Sequence, residues 1–330
     1  MFPKPYKTIT SCQIHEVMTK TYERFRTDTQ GKNADYIPYL ANVDPSLFGI
    51  SVCLLDGTVL SVGDHDFRFG IESVSKVHTA VLAMQHSGPD TVMRRIGANA
   101  TGLPFDSIMA ILLEKERPST PLVNAGAIAA CSLVKPIGDA EGKWQAIRQN
   151  IAALSGEEDG SAIPLIEELY ASESATNFNN RSIAWLLKDF GRIYDDPEVS
   201  LDLYTRQCSL GITADQLAIA AATIANDGKN PKTGMQVFDS ELAPKVTSLV
   251  TTVGFYERTG DWLYDAGIPA KSGVGGGVMG IMPGLFGICA FAPPLDPSGN
   301  SVKAQMAIKA SMKELDVNVF ASSHLTMVDC

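Results

Sequence analysis

Apolar residues recur along this chain with two periods, and the dominant period changes twice. Ile14, Val17, Met18, Tyr22 and Phe25 share one helical face, and Thr10 with Gln13 has the pattern of a capping box ahead of them. Residues 48–54 and 59–62 alternate apolar and small side chains around Asp56-Gly57-Thr58, which predicts a β-hairpin. Phe67 and Phe69 continue the alternation toward Ser73. A helix is then predicted from about Ser73 to His86, with Val77, Val81 and Met84 on one face and Gly88-Pro89 as its stop.

From residue 90 to about 228 the helical period dominates. Helical spacing occurs over 124–134, 141–154, 164–171, 181–192, 197–208 and 213–227, the last opened by a second capping-box pattern, Thr213 with Gln216. A further helix is expected over 239–253. Residues 270–281 and 284–292 then read as strands, glycine-rich and β-branched, separated by Pro283-Gly284, and a closing helix is expected over 302–315. The order is strands, helices, strands. It predicts an α/β (α+β) protein whose sheet is assembled from both chain ends, with an all-helical insert. Residues 1–88 and 229–330 would form the sheet domain and 89–228 the helical domain, with a site in the cleft between them.

Composition narrows the chemistry. The 330 residues are 45% hydrophobic and 19% charged, enough apolar material for a sizeable core. A net charge of −10 argues against nucleic acid or an anionic membrane as partner, since both need a basic face. Cys12, Cys53, Cys131, Cys208, Cys289 and Cys330 are scattered with no CxxC pair, so free thiols in a reducing compartment are expected. The opening MFPKPYKTIT has no apolar signal core, and no run approaches the roughly 18 apolar residues of a membrane helix. A cytoplasmic protein is the expectation. His15, His65, His78, His86 and His324 show no ligand spacing, so no metal is expected. No phosphate or dinucleotide loop follows a predicted strand, and no cofactor is expected.

Two motifs carry chemistry. Ser73-x-x-Lys76 at the start of a helix puts a hydroxyl and an amine on one face. Serine needs a base beside it, and lysine serves once burial lowers its pKa. Lys271-Ser272-Gly273-Val274-Gly275-Gly276-Gly277 is a glycine-rich strand, a place where a ligand approaches backbone, although a flexible turn explains the run equally well. Ser-x-x-Lys early and Lys-Ser-Gly on a late strand is the layout of penicillin-recognising serine enzymes.

With these motifs the chain resembles the bacterial and mitochondrial glutaminase family, from about Asn33 to Val302. The resemblance is carried by Asp35-Tyr36-Ile37-Pro38, Ser73-Val74-Ser75-Lys76, Asn124-Ala125-Gly126-Ala127-Ile128, Ser172-Glu173, Gly254-Phe255-Tyr256 and Pro269-Ala270-Lys271-Ser272-Gly273-Val274. It implies a β-lactamase/transpeptidase-like fold with an antiparallel sheet, hydrolysis of L-glutamine to L-glutamate and ammonia, and a homodimer or homotetramer. It also implies roles. Ser73 resembles the nucleophile, Lys76 its base and Tyr256 the tyrosine beside them. Tyr36, Asn124, Asn180 and Tyr204 resemble substrate-pocket residues, Glu173 the carboxylate for the substrate ammonium, and Val274 a backbone donor to the oxyanion. Taken alone, Glu173 reads as a solvated helix-end charge, Asn124 and Asn180 as helix caps, and the two tyrosines as half-buried core.

Two departures stand out. Asn179 replaces the family's usual arginine before Asn180, which leaves Asn179 as an alternative contact. Glu72 replaces the usual glutamine before the nucleophile, and a carboxylate there would tend to keep Lys76 protonated. The rival activities are a β-lactamase or peptidase-like serine hydrolase and a non-catalytic glutamine-binding module. No Ser-Asp-Asn or Tyr-x-Asn lies between residues 90 and 260, which disfavours the first. Retention of Ser73, Lys76 and Val274 disfavours the second.

Overall fold

Both ends of the chain meet in one five-stranded antiparallel sheet. The computed structural model describes residues 7–113, 116–321 and 325–328. The sheet runs Val59–Gly63, Gly49–Leu54, Phe286–Phe291, Gly277–Met282, Ala270–Ser272, so the N-terminal hairpin docks against the C-terminal strands. The hairpin turns where the alternation predicts, with Gly57 at φ 93 and the Thr58 N–H donating to Asp56 Oδ1 at 2.8 Å.

The strand expected over 270–281 is two strands. Residues 273–276 break it in a tight turn, with Gly276 at φ 101 and its N–H donating to the Gly273 carbonyl at 3.0 Å. The glycines that weaken a long strand here make the reversal.

Gly49–Leu54, Gly277–Met282 and Phe286–Phe291 are buried at every residue, because helices cover both faces. On one face Ile50, Val52, Ile288 and Ala290 pack with Ile14, Met18 and Ile308 of the helices Ser11–Phe25 and Val302–Leu315. On the other, Cys53, Cys289 and Phe291 pack with Leu217 and Ala218 of the helix Ala214–Ala225. Both helices predicted to open with capping boxes do so, at Thr10/Gln13 and Thr213/Gln216.

The middle of the chain is helical: Asn124–Leu133, Ala140–Leu154, Glu167–Thr176, Phe178–Asp189 and Pro197–Cys208. Short helices at Pro38–Ala41, Pro89–Arg95, Ile108–Leu113 and Thr259–Ala266 escaped the periodicity reading because they carry too few turns to show a stripe. Pro89 ends one helix and, at the first position of the next, begins another.

The helix after Ser73 differs from its expected one-sided pattern. Residues Ser75 to Met84 are buried all round, polar His78 and Thr79 included. Thr79 Oγ1 donates to Gln207 Oε1, and the His78 ring pairs through Nδ1 with the Val74 carbonyl while its Nε2 is buried without a partner. It is the central helix, packed between Asn124–Leu133 and Ala140–Leu154.

One cysteine expectation fails. Cys12 is disulfide-bonded, which the scattered spacing of the cysteines does not reveal. Cys53, Cys131, Cys208 and Cys289 are free and buried. Cys330 and His324 lie outside the described residues. Among the described residues no helix is long and apolar enough to cross a membrane.

Candidate active site

Ser73 sits in a 3₁₀ turn, Glu72–Val74, that leads directly into the central helix Ser75–Ser87. The chain reaches it through a two-residue ladder, Phe69–Gly70 with Gly211–Ile212, and Ile71 N–H donates to the Leu210 carbonyl. Lys76 follows one turn into the helix and is 1% exposed.

The glycine-rich turn presses against this segment. A Cβ on Gly275 would lie 2.1 Å from the Gly70 carbonyl oxygen, so only glycine admits the approach. Val274, the residue before it, thereby lines the cleft beside Ser73. Gly126 does the same service for the helix Asn124–Leu133: a Cβ there would sit 1.7 Å from the Thr120 carbonyl oxygen.

Asn124 is the hub of the site. Its Oδ1 accepts from Lys76 Nζ at 2.6 Å and from the Tyr204 hydroxyl at 3.2 Å, and its Nδ2 donates to Asn180 Oδ1 at 2.8 Å. The capping alternatives therefore fail for both asparagines, since the caps of their helices are Val123 and Asn177. Asn180 joins this network, whereas Asn179 Nδ2 donates to the Asp106 carbonyl, and both asparagines line the same cleft. Tyr256 approaches from the opposite wall. Its hydroxyl donates to the Ser272 carbonyl at 3.2 Å, and the Ser73 side chain is near enough to offset part of the rise that burial gives its pKa. Lys271 is tied off beneath it, donating to the carbonyls of Gly254 and Ser272.

Ser73, Asn124, Glu173, Asn180, Tyr204 and Val274 all line one cleft of about 480 Å³. Tyr36 stands at its rim, 58% exposed. Phe105, Asp106 and Cys208 also line it and were not singled out from the sequence. The Phe105 ring lies 4.4 Å from that of Tyr256 and 5.6 Å from Lys76 Nζ, so it packs against both side chains. Cys208 was legible: it follows Tyr204 by one helical turn and shares its face.

Burial dominates the electrostatics. It lowers Lys76 to about 8, against the opposing pull of Cys208, Asp106, Glu72 and Glu173. Burial also raises Glu72 well above the usual carboxylate range, and the facing Glu173 adds to the effect. Glu173 is raised too, by burial in the cleft wall, with Glu72 and Lys76 opposing. The Tyr204 and Tyr256 phenols are pushed up by burial and stay protonated at neutral pH. Among the described residues, the one gathering of acidic and thiol groups close enough to hold a cation is Glu72, Glu173 and Cys208.

The chain is similar over most of its length to known proteins. Residues 31–320 match the sequence model of the Glutaminase family. The glutaminase of Parabacteroides distasonis is 66% identical over 323 residues, 98% of this chain and 99% of the relative. That of Mycobacterium marinum is 45% identical over 95% of this chain and 96% of its own. Among solved structures, the probable glutaminase ybaS superposes with a TM-score of 0.92 at 43% identity, covering 95% of this chain and all of that one. The chain belongs to the glutaminase family.

Proposed function

We propose that this glutaminase hydrolyses the side-chain amide of free L-glutamine through a γ-glutamyl ester on Ser73, with Lys76 as base. The hydrogen-bonded set Lys76–Asn124–Asn180–Tyr204, buried beside a serine near Tyr256, carries the reading. An amine lowered to about 8 is partly neutral at physiological pH and can take a proton. Ser73 Oγ attacks the side-chain carbonyl carbon as its proton passes to Lys76. The N–H groups of Ser73 and Val274 hold the oxyanion. The tetrahedral intermediate expels ammonia, which takes the proton from Lys76 directly or through the Tyr256 hydroxyl. Water then attacks the ester, Lys76 receives its proton, and glutamate departs with Ser73 restored.

Recognition follows from the charges of the free amino acid. Glu173 takes the ammonium, while the asparagine amides and tyrosine hydroxyls take the carboxylate. An analogue lacking either group leaves buried partners unpaired. The same reading makes the fold β-lactamase-like, with residues 1–88 and 229–330 as the sheet unit and 89–228 as a helical unit closing the cleft. The helix Ala214–Ala225 covers the sheet from the helical side. A cytoplasmic homodimer or homotetramer completes the proposal.

Ammonia release from L-glutamine, L-asparagine and D-glutamine, with Ser73→Ala alongside, tests it. Release from L-glutamine that vanishes in the variant is expected. Near-normal turnover by Ser73→Ala would end the acyl-enzyme scheme, and heat of glutamine binding without ammonia release would favour a binding module.

A further inference from the structure

We propose that the floor of this cleft is also an inhibitory site for a thiophilic divalent cation such as Zn²⁺, held by Glu72, Glu173 and Cys208. One ligating atom from each lies within 4.8 Å of the others. The three come from separate elements: the turn before the central helix, the helix Glu167–Thr176 and the helix Pro197–Cys208. That is why no ligand spacing shows in the sequence.

A second observation points to a cation. Glu72 is 3% exposed, and its Oε1 is buried with no hydrogen-bond partner. Its backbone is held at φ 50, a conformation unusual for a side-chain-bearing residue. Gly70 and Gly275 leave room for the side chain: a Cβ on either would come within 3.4 Å of Glu72 Oε1 and 3.1 Å of its Cγ, respectively. The carboxyl groups of Glu72 and Glu173 therefore meet in a side-chain hydrogen bond beside a thiol, and Glu72 Oε1 is left without a partner.

The donor set selects the ion. Zn²⁺ bonds thiolate sulfur at about 2.3 Å and carboxylate oxygen at about 2.0–2.2 Å, so ligands around it stand a little closer than they do here. Binding requires the Glu72 and Glu173 side chains to move inward to close the gap. Three protein ligands leave a fourth position toward the cleft, through which the ion exchanges. Mg²⁺ and Ca²⁺ demand six or more oxygens and gain nothing from sulfur. Lys76 is the cation facing the group, and its Nζ is turned to Asn124 Oδ1. Cys208 must release its proton to the solvent as the metal–sulfur bond forms. Cys53, Cys131 and Cys289 are buried away from this cleft.

The metal binding rests on this geometry alone. Its inhibitory effect rests on the proposed role of Glu173, because an ion there occupies the subsite of the glutamine ammonium. Two measurements separate them. Co²⁺ titrated into the intact protein should produce a near-ultraviolet sulfur-to-metal charge-transfer band. Cys208→Ser should abolish the band, and Glu72→Gln should weaken Co²⁺ affinity about tenfold or more. Zn²⁺ should raise the apparent KM for L-glutamine without lowering kcat, with reversal by a chelator, while Mg²⁺ and Ca²⁺ do nothing. A band that survives in a folded Cys208→Ser protein, or Zn²⁺ affinity unchanged in Glu72→Gln, overturns the site. A band that depends on Cys208 with non-competitive Zn²⁺ inhibition keeps the site and removes Glu173 from ammonium binding.

Discussion

Replacing Gly275 by alanine should perturb the proposed oxyanion hole without altering any side chain proposed to contact substrate. The new Cβ would lie 2.1 Å from the Gly70 carbonyl oxygen and 3.1 Å from Glu72 Cγ, where ordinary contact begins at 3.4 Å. The nearer obstacle is backbone, pinned by the ladder between Phe69–Gly70 and Gly211–Ile212. The glycine-rich turn must therefore yield by roughly 1.3 Å, and Val274, its neighbour, moves with it. Loss of one oxyanion donor raises the barrier by about 3–4 kcal/mol, and a displacement of about 1 Å is enough to lose it. We expect kcat to fall about 10²–10³-fold while KM stays within about threefold, because Glu173, Asn124 and Asn180 stand on helices that the turn does not carry. Steady-state ammonia release measures both constants, and a thermal melt verifies that the variant is folded. A folded Gly275→Ala protein with kcat within about threefold of the parent would show that the Val274 N–H takes no part in catalysis.

The remaining expectations concern charge. The kcat/KM profile should rise with pH as Lys76 sheds its proton, with an inflection at about 8; a limb inflecting near the ordinary lysine value would exclude Lys76 as the base. His78 is fully buried and lowered by burial to about 4, so between its unfolded and folded values the unfolded chain binds the extra proton. Its contribution is intact above pH 6.5 and is lost as pH falls toward 4, about 3 kcal/mol in all; denaturant melts near pH 7 and near pH 4.5 should show His78→Gln losing less stability than the parent, and equal losses would contradict this. Glu173→Gln should raise KM by about 30-fold or more, from a lost charge-assisted bond of about 2 kcal/mol, and an unchanged KM would remove it from the ammonium subsite.

What could be read from the sequence divides by physical cause. The capping boxes at Thr10 and Thr213, the hairpin at Gly57 and the helix 197–208 are local, and local rules located them. The helix expected from about Ser73 shows one apolar face, Val77, Val81 and Met84, in the sequence. The partner of its polar Thr79, Gln207, lies far along the chain, so the burial of the whole helix has no local sign. Ser73, Lys76 and Asn124 came from motifs, yet Asn124 alone reads as a cap. Only the assembled cleft distinguishes it, by turning its amide to Lys76, Tyr204 and Asn180. Phe105 had no signal at all: it lies in a loop without period and acts through contact with Tyr256. The disulfide at Cys12 and the grouping of Glu72, Glu173 and Cys208 share that character, since tertiary proximity creates them.

The same cleft explains where the chain tolerates strain. Five described non-glycine residues have positive φ, and two of them, Glu72 and Tyr256, flank Ser73. Such conformations cost about 1–3 kcal/mol each and persist only where their surroundings over-determine them. Glu72 is fixed by the ladder before it and the glycine turn against it. Tyr256 is fixed by its ring on Phe105, its hydroxyl on the Ser272 carbonyl, and its own carbonyl accepting from Thr259 Oγ1 at 2.7 Å. Relaxing either backbone would swing a carboxylate or a phenol away from Ser73. The strain is thus coupled to the proposed chemistry: the interactions that hold these two residues off their preferred backbone angles also fix the Glu72 carboxyl and the Tyr256 phenol around the cleft at Ser73.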